Sequence, residues 1–114
     1  MFVKVNALLR CRSGGPERLV GRTACLLDAD VVSDDRLSEG VVQPGGVVEF
    51  LFDLAAAGGF DSPLERRPDL YCVVWDDAGA VFYRSATLQN VDFLTPDPVT
   101  GEVRTTQELV FEEA

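Results

Sequence analysis

Residues 2–11, FVKVNALLRC, place Val3, Val5, Ala7, Leu9 and Cys11 on one side of an extended chain. Lys4, Asn6 and Arg10 fall on the other side, with Leu8 as the exception. A period of two is the pattern of a strand with one face in a core, because successive side chains of a strand point to opposite sides. The pattern returns in VVEFLFDL, where Val48, Phe50, Phe52 and Leu54 share a face against Glu49 and Asp53. No long stretch carries the 3.6-residue spacing of an amphipathic helix. A chain built this way buries its apolar faces by packing sheet on sheet.

Turn chemistry divides the rest into short strands. LVGRTACLLD follows RSGGPER, a connection whose length suits a hairpin with the first strand. QPGG puts proline and glycine where a tight reversal needs them. AAAGGF allows a brief helical turn that its glycines end, and DSPLERRP reads as loop. DLYCVVWD is apolar on both faces, as in a central strand, and DAG turns it into AVFYRS. TLQNVDFL is a strand or an extended arm, TPDPVTGE is loop, and TTQELVFEE closes with Leu109 and Phe111 on one face. The expected fold is all-β: a single antiparallel β-sandwich of about seven strands over residues 1–114.

Composition narrows the function. The net charge of −9, with only 10 basic residues and no basic stripe, argues against nucleic acid, whose phosphates such a chain repels. No apolar run approaches the roughly 20 residues of a membrane span, and the opening segment lacks the build of a signal peptide, so a soluble, cytoplasmic chain without a membrane partner is expected. Cys11, Cys25 and Cys72 have no CxxC spacing, which argues against structural zinc. Cys25 and Cys72 sit in apolar runs and read as small buried hydrophobes. Cys11 lies between Arg10 and Arg12, where positive charge favours a thiolate, but the chain has no histidine to serve as its base.

With the strands placed, the chain resembles the transthyretin-like (prealbumin-like) β-sandwiches, including the regulatory-like domains attached to carboxypeptidases. The likeness is carried by LLDAD at a strand end, DDRL soon after, the glycine turn before VEFLF, and RPDLYCVVWDDAGAVFYRS, in that order over about residues 20–85. It implies a divergent bacterial member with the sandwich fold. It does not bring the chemistry of related enzymes. The hydroxyisourate hydrolases need histidines and end in a tyrosine-arginine-glycine-serine motif, whereas here Tyr83–Ser85 lies mid-chain without the glycine. The intradiol dioxygenases hold iron with tyrosines and histidines, and this chain offers only Tyr71 and Tyr83.

The segment LLDADVVSDDRL, 26–37, sets Asp28, Asp30, Asp34 and Asp35 between apolar stretches. As an EF-hand it has Asp28, Asp30 and Glu39 at the first, third and twelfth positions, but Val32 at the fifth and Ser33 where glycine is required. As a C2-like calcium site it would join Asp28, Asp30, Asp34 and Asp35 to Asp76 and Asp77 from a second loop, supplying the oxygens that hard calcium wants. Adjacent Asp76 and Asp77 point apart in an extended segment, which weakens that set. The third reading is structural: aspartates at strand ends accept hydrogen bonds from the amides of the next turn. Asp61, Glu65 and Asp69 beside Arg66 and Arg67 suggest surface ion pairs of little net worth. Tyr71, Val73 and Trp75 share one face of the central strand, either as a second core layer or as an aromatic patch for a protein partner or a second copy. The expectation is a non-catalytic binding or accessory module without a cofactor, with a weak calcium-binding module as the alternative.

Overall fold

The computed structural model describes residues 2–29, 35–54, 67–93, 98–101 and 105–114. Among these, seven strands are formed: β1 Phe2–Arg10, β2 Thr23–Asp28, β3 Asp35–Val41, β4 Val47–Asp53, β5 Leu70–Trp75, β6 Val81–Arg84 and β7 Thr106–Glu112. They make a three-stranded sheet in the order β4-β1-β7 and a four-stranded sheet in the order β3-β2-β5-β6. No helix among the described residues is long and apolar enough to cross a membrane.

The alternating residues of β1 and β4 do what their period predicts. Val3, Val5, Ala7, Leu9, Val48, Phe50, Phe52 and Leu54 are all buried, and they meet Ala24, Leu26, Leu70, Cys72, Val74 and Tyr83 of the facing sheet in one core. Phe52 packs edge-to-face on Phe93, with centroids 5.8 Å apart, a favoured geometry for rings whose faces are negative and edges positive. The Tyr83 hydroxyl crosses between the sheets to the carbonyls of Arg10 and Phe111, at 3.0 and 3.3 Å. Burial pushes its ionisation well above the ordinary tyrosine value. Ser85 is equally enclosed and fully used: its Oγ accepts from the Cys72 amide at 2.8 Å and donates to the Ala86 carbonyl at 3.0 Å.

Three expectations change, and one left open is decided. The sandwich is not wholly antiparallel, because β1 pairs β4 antiparallel but β7 parallel, with Lys4 facing Thr106 and Arg10 facing Glu112. β1 and β2 form no hairpin: they lie in different sheets, and RSGGPER carries the chain across through a short 3-10 turn, Pro16–Leu19, anchored by fully buried Leu19. DRLSEGV, read as part of an acidic loop, is strand β3. TLQNVDFL is an arm rather than a strand; Leu88 exchanges backbone bonds with Leu70 at 2.9 and 2.8 Å, and Val91 and Phe93 are buried. The AAAGGF segment lies outside the described residues apart from its neighbour Leu54.

The hairpin of β5 and β6 is as expected, and the QPGG turn has a second duty. Leu9 donates its amide to the Gly46 carbonyl at 2.9 Å. Gly46 has φ +83°, and a Cβ there would sit 2.7 Å from the Leu9 carbonyl oxygen. Only glycine fits a reversed backbone pressed this closely on a neighbouring strand.

Candidate functional site

Asp28 is the last residue of β2 and is 1% exposed. Its Oδ1 accepts the Asp69 amide at 3.2 Å, and the Ala29 amide donates to the Asp69 carbonyl at 2.8 Å. The carboxylate thus ties the end of β2 to the entry of β5. Asp35 opens β3 opposite Asp28. Asp30 and Asp34 lie outside the described residues. Asp76 fastens the β5–β6 turn: its Oδ1 accepts the amides of Ala78 and Ala80, both at 2.9 Å. That is the structural role of a strand-end aspartate. Asp77 is exposed in the same turn.

The register separates the two aspartate loops. β2 pairs β5 antiparallel, with Asp28 opposite Leu70 and Ala24 opposite Val74. Asp76 follows the far end of β5, about 20 Å from Asp28 at roughly 3.3 Å per residue. Calcium holds its oxygens at about 2.3–2.6 Å. Asp28 and Asp35 therefore cannot share an ion with Asp76 and Asp77, which corrects the two-loop calcium site for these four residues. The acidic neighbours further along behave similarly. Asp69 Oδ1 accepts the Asn90 amide at 2.8 Å, and Arg67 pairs with Asp92 at 3.6 Å. Asp61, Glu65 and Arg66 lie outside the described residues.

Tyr71, Val73 and Trp75 do share the outer face of the four-stranded sheet, but they are not an open patch. Tyr71 and Val73 are each 4% exposed and form a second apolar cluster with Cys25 and Leu27, against which Ala29 and half-buried Trp75 pack. Arginines roof it. The Arg84 guanidinium lies 4.6 Å from the Tyr71 ring centre and that of Arg36 5.1 Å from Trp75. Arg36 is held by Glu39 at 3.0 Å. Guanidinium over an aromatic face joins charge to the ring's negative surface while its stem covers apolar area. Burial raises the Cys25 thiol above its ordinary value, against the pull of Arg36. This face is a second core layer, and the partner surface assigned to Tyr71, Val73 and Trp75 is withdrawn from Tyr71 and Val73.

An exposed apolar row lies on the opposite side of the molecule. The registers of β1 line up Val47, Leu8 and Val110 across all three strands of the smaller sheet. Val47 and Val110 are each 45% exposed, and Leu8 is half-buried between them. With Asn6 and Glu108 they line a shallow concavity. Ion pairs bound this row, Lys4–Glu49 at 3.7 Å on one side and Arg10–Glu112 at 3.3 Å on the other. Phe2 and Leu51 add exposed apolar area at the far end of the sheet. The signal for this face was in the sequence as Leu8, an apolar residue in the middle of the polar side of β1. It becomes legible only when the register sets Val47 and Val110 beside it.

No family model matches the chain, and no curated protein does. Among solved structures, it is similar to part of the crystal structure of a 9R-lipoxygenase from Cyanothece PCC8801, at 21% identity and a TM-score of 0.56. The match covers 96% of this chain and 16% of that one. At this identity the likeness speaks to the fold alone, a β-sandwich of two packed sheets.

Proposed function

We propose that this chain is a non-catalytic binding module that engages a protein partner through the outer face of its three-stranded sheet. The observation that carries the reading is the apolar row Val47–Leu8–Val110, open to solvent and framed by ion pairs. An apolar centre within a polar rim is the anatomy of a protein interface. The chain's net charge of −9 disfavours a nucleic-acid occupant, and the absence of histidine from the sequence speaks against the commonest acid–base catalyst. An accessory role within a larger protein accords with the lipoxygenase, in which the similar region is 16% of the chain. The relationship to transthyretin-like sandwiches belongs to this proposal and rests on the order of motifs between about residues 20 and 85.

The test compares wild type with Val47→Asp/Val110→Asp, both half-exposed positions where a carboxylate is tolerated. Sedimentation and affinity capture are run on both, after confirming equal melting temperatures. A protein retained by wild type and lost by the variant supports the reading. A dimer that the variant abolishes makes the partner a second copy. Equal behaviour of the two proteins refutes the face as a binding surface.

A further inference from the structure

Every sheet has edges, and an edge left open is a template for another strand. Three edges of this sandwich have neighbours fastened against them among the described residues. On one side, Ser38 of β3 locks onto β4: its Oγ donates to the Leu51 carbonyl at 2.9 Å and accepts the Leu51 amide at 3.2 Å. Gly40 presses as close, since a Cβ there would lie 2.6 Å from the Glu49 carbonyl oxygen. On the other side, Arg18 donates to the Phe82 carbonyl of β6 at 3.3 Å and is itself held by Glu113. The end of β7 is fastened to the end of β6 by the Ala86 amide on the Glu112 carbonyl, at 2.8 Å, and by the Ala114 amide on the Arg84 carbonyl, at 2.9 Å.

The rest of β7 is different. The Lys4 amide donates to the Thr105 carbonyl and the Glu113 amide to the Arg10 carbonyl. In a parallel ladder this phase turns the backbone groups of Gln107, Leu109 and Phe111 toward β1 and those of Thr106, Glu108 and Val110 outward. Among the described residues nothing pairs with these outward groups. Their side chains stand on the exposed face beside the apolar row. Glu112 has Arg10 as its ion partner, but Glu108 has none among the described residues.

We propose that the outer edge of β7, between Thr106 and Val110, accepts an extended segment of a basic partner as an added strand, with Lys or Arg opposite Glu108 and an aliphatic residue opposite Val110. The inference rests on the binding-face reading above and names the partner's chemistry. Main-chain bonds supply affinity in strand addition, and alternate side chains supply specificity. Charge selects against a second copy, which would bring two more carboxylates to Glu108 and Glu112 on a chain already at −9. Opposite charges directly across a strand pair stabilise it and like charges oppose it.

The experiment follows backbone amides by NMR while the peptide acetyl-Thr-Lys-Thr-Val-Thr-Lys-Thr-amide is added to millimolar concentration. Hydrogen exchange of the Glu108 and Val110 amides slows by about tenfold or more on strand addition, while amides of β4 and β6 are unchanged. The same peptide with Glu in place of Lys gives no protection, and Glu108→Lys reverses the preference between the two peptides. Equal protection by both peptides, protection on another edge, no protection, or a free protein already dimeric through these amides each overturns the proposal. The two readings separate cleanly. If Val47→Asp, on the opposite edge strand, abolishes partner capture while Glu108→Lys leaves it intact, the face stands and the strand-addition inference falls. If neither substitution changes capture, both fall.

Discussion

The two outer faces of this sandwich are built from the same materials and treated differently. On the four-stranded sheet, Cys25, Leu27, Tyr71 and Val73 are closed off beneath arginines. On the three-stranded sheet, Val47, Leu8 and Val110 face solvent inside a frame of ion pairs. Hydrophobicity alone does not tell the two apart: Tyr, Val and Leu occur on both or on either. The difference lies in what neighbouring strands place over them. Arg36 and Arg84 bend across rings on the first face, whereas Lys4 and Arg10 reach sideways to carboxylates on the second. A covered apolar face contributes to stability, and an uncovered one is available for binding.

The largest expected effect comes from placing the same carboxylate on each face. Val73→Asp buries an unpaired charge and lowers the unfolding free energy by more than about 3 kcal/mol, whereas Val110→Asp costs roughly 0.5 kcal/mol or less. Urea titration of both variants measures the contrast, and similar losses would break it.

Alkaline pH provides the next test. Burial raises Cys72, Tyr83 and, on the covered face, Cys25. Each is neutral in the folded state where the unfolded chain already ionises. Their stabilising contribution is whole below the unfolded values and is lost as pH rises toward the folded ones. Stability therefore begins to fall near pH 9, the ordinary thiol value, and falls faster past pH 10, that of tyrosine. Cys25→Ala flattens the first part of the curve; an unchanged slope would mean the covered face opens readily. In the same vein, on a Cys11→Ser background, native Cys25 resists a thiol reagent that labels Val110→Cys at once.

Smaller still is the roof itself. Arg84→Ala uncovers the Tyr71 ring and costs about 0.5–1 kcal/mol, the worth of an exposed cation–π contact and some stem packing. On the open face, Lys4→Ala removes a salt bridge between exposed groups and changes stability by less than about 0.5 kcal/mol. Thermal melts at low and high salt rank the two, and equal costs would erase the distinction between a covering arginine and a framing lysine.

How far the sequence revealed this architecture depended on whether a strand's burial is local. β1, β4, β5 and β6 announce themselves because their cores are written in their own alternation or apolar runs. β3 does not: Asp35, Arg36, Glu39 and Gly40 read as loop, and its residues are half-buried or exposed because it is an edge strand pressed on β4. Its glycine, which weakens a strand in isolation, is what admits that contact. The parallel partnership of β1 and β7 has no local sign, since pairing direction is set by the path of the whole chain between them. For the site, a strand-end aspartate is expected to accept amides of the next turn; Asp28 accepts an amide, but that of Asp69 on a separate segment, and the aspartate that fastens its own following turn is Asp76, which the sequence suggests as a calcium ligand. That they sit at opposite ends of a sheet is a property of register, which spacing along the chain cannot convey.

The pairing of Lys4 with Thr106 bears on how the protein comes into being. The middle strand of the smaller sheet has one neighbour in β4 and its other in the last strand of the fold. Closing a loop of roughly a hundred residues is entropically costly and slow, and such non-local contacts dominate folding times. On the ribosome β1 emerges before β7, and although its inward row of Val3, Val5, Ala7 and Leu9 packs on the facing sheet, its backbone has only β4 as a neighbour until β7 is synthesised. The sheet that offers its face to a partner is thus completed only by the final strand of this sandwich, and until then one side of its middle strand is open to misplaced strands.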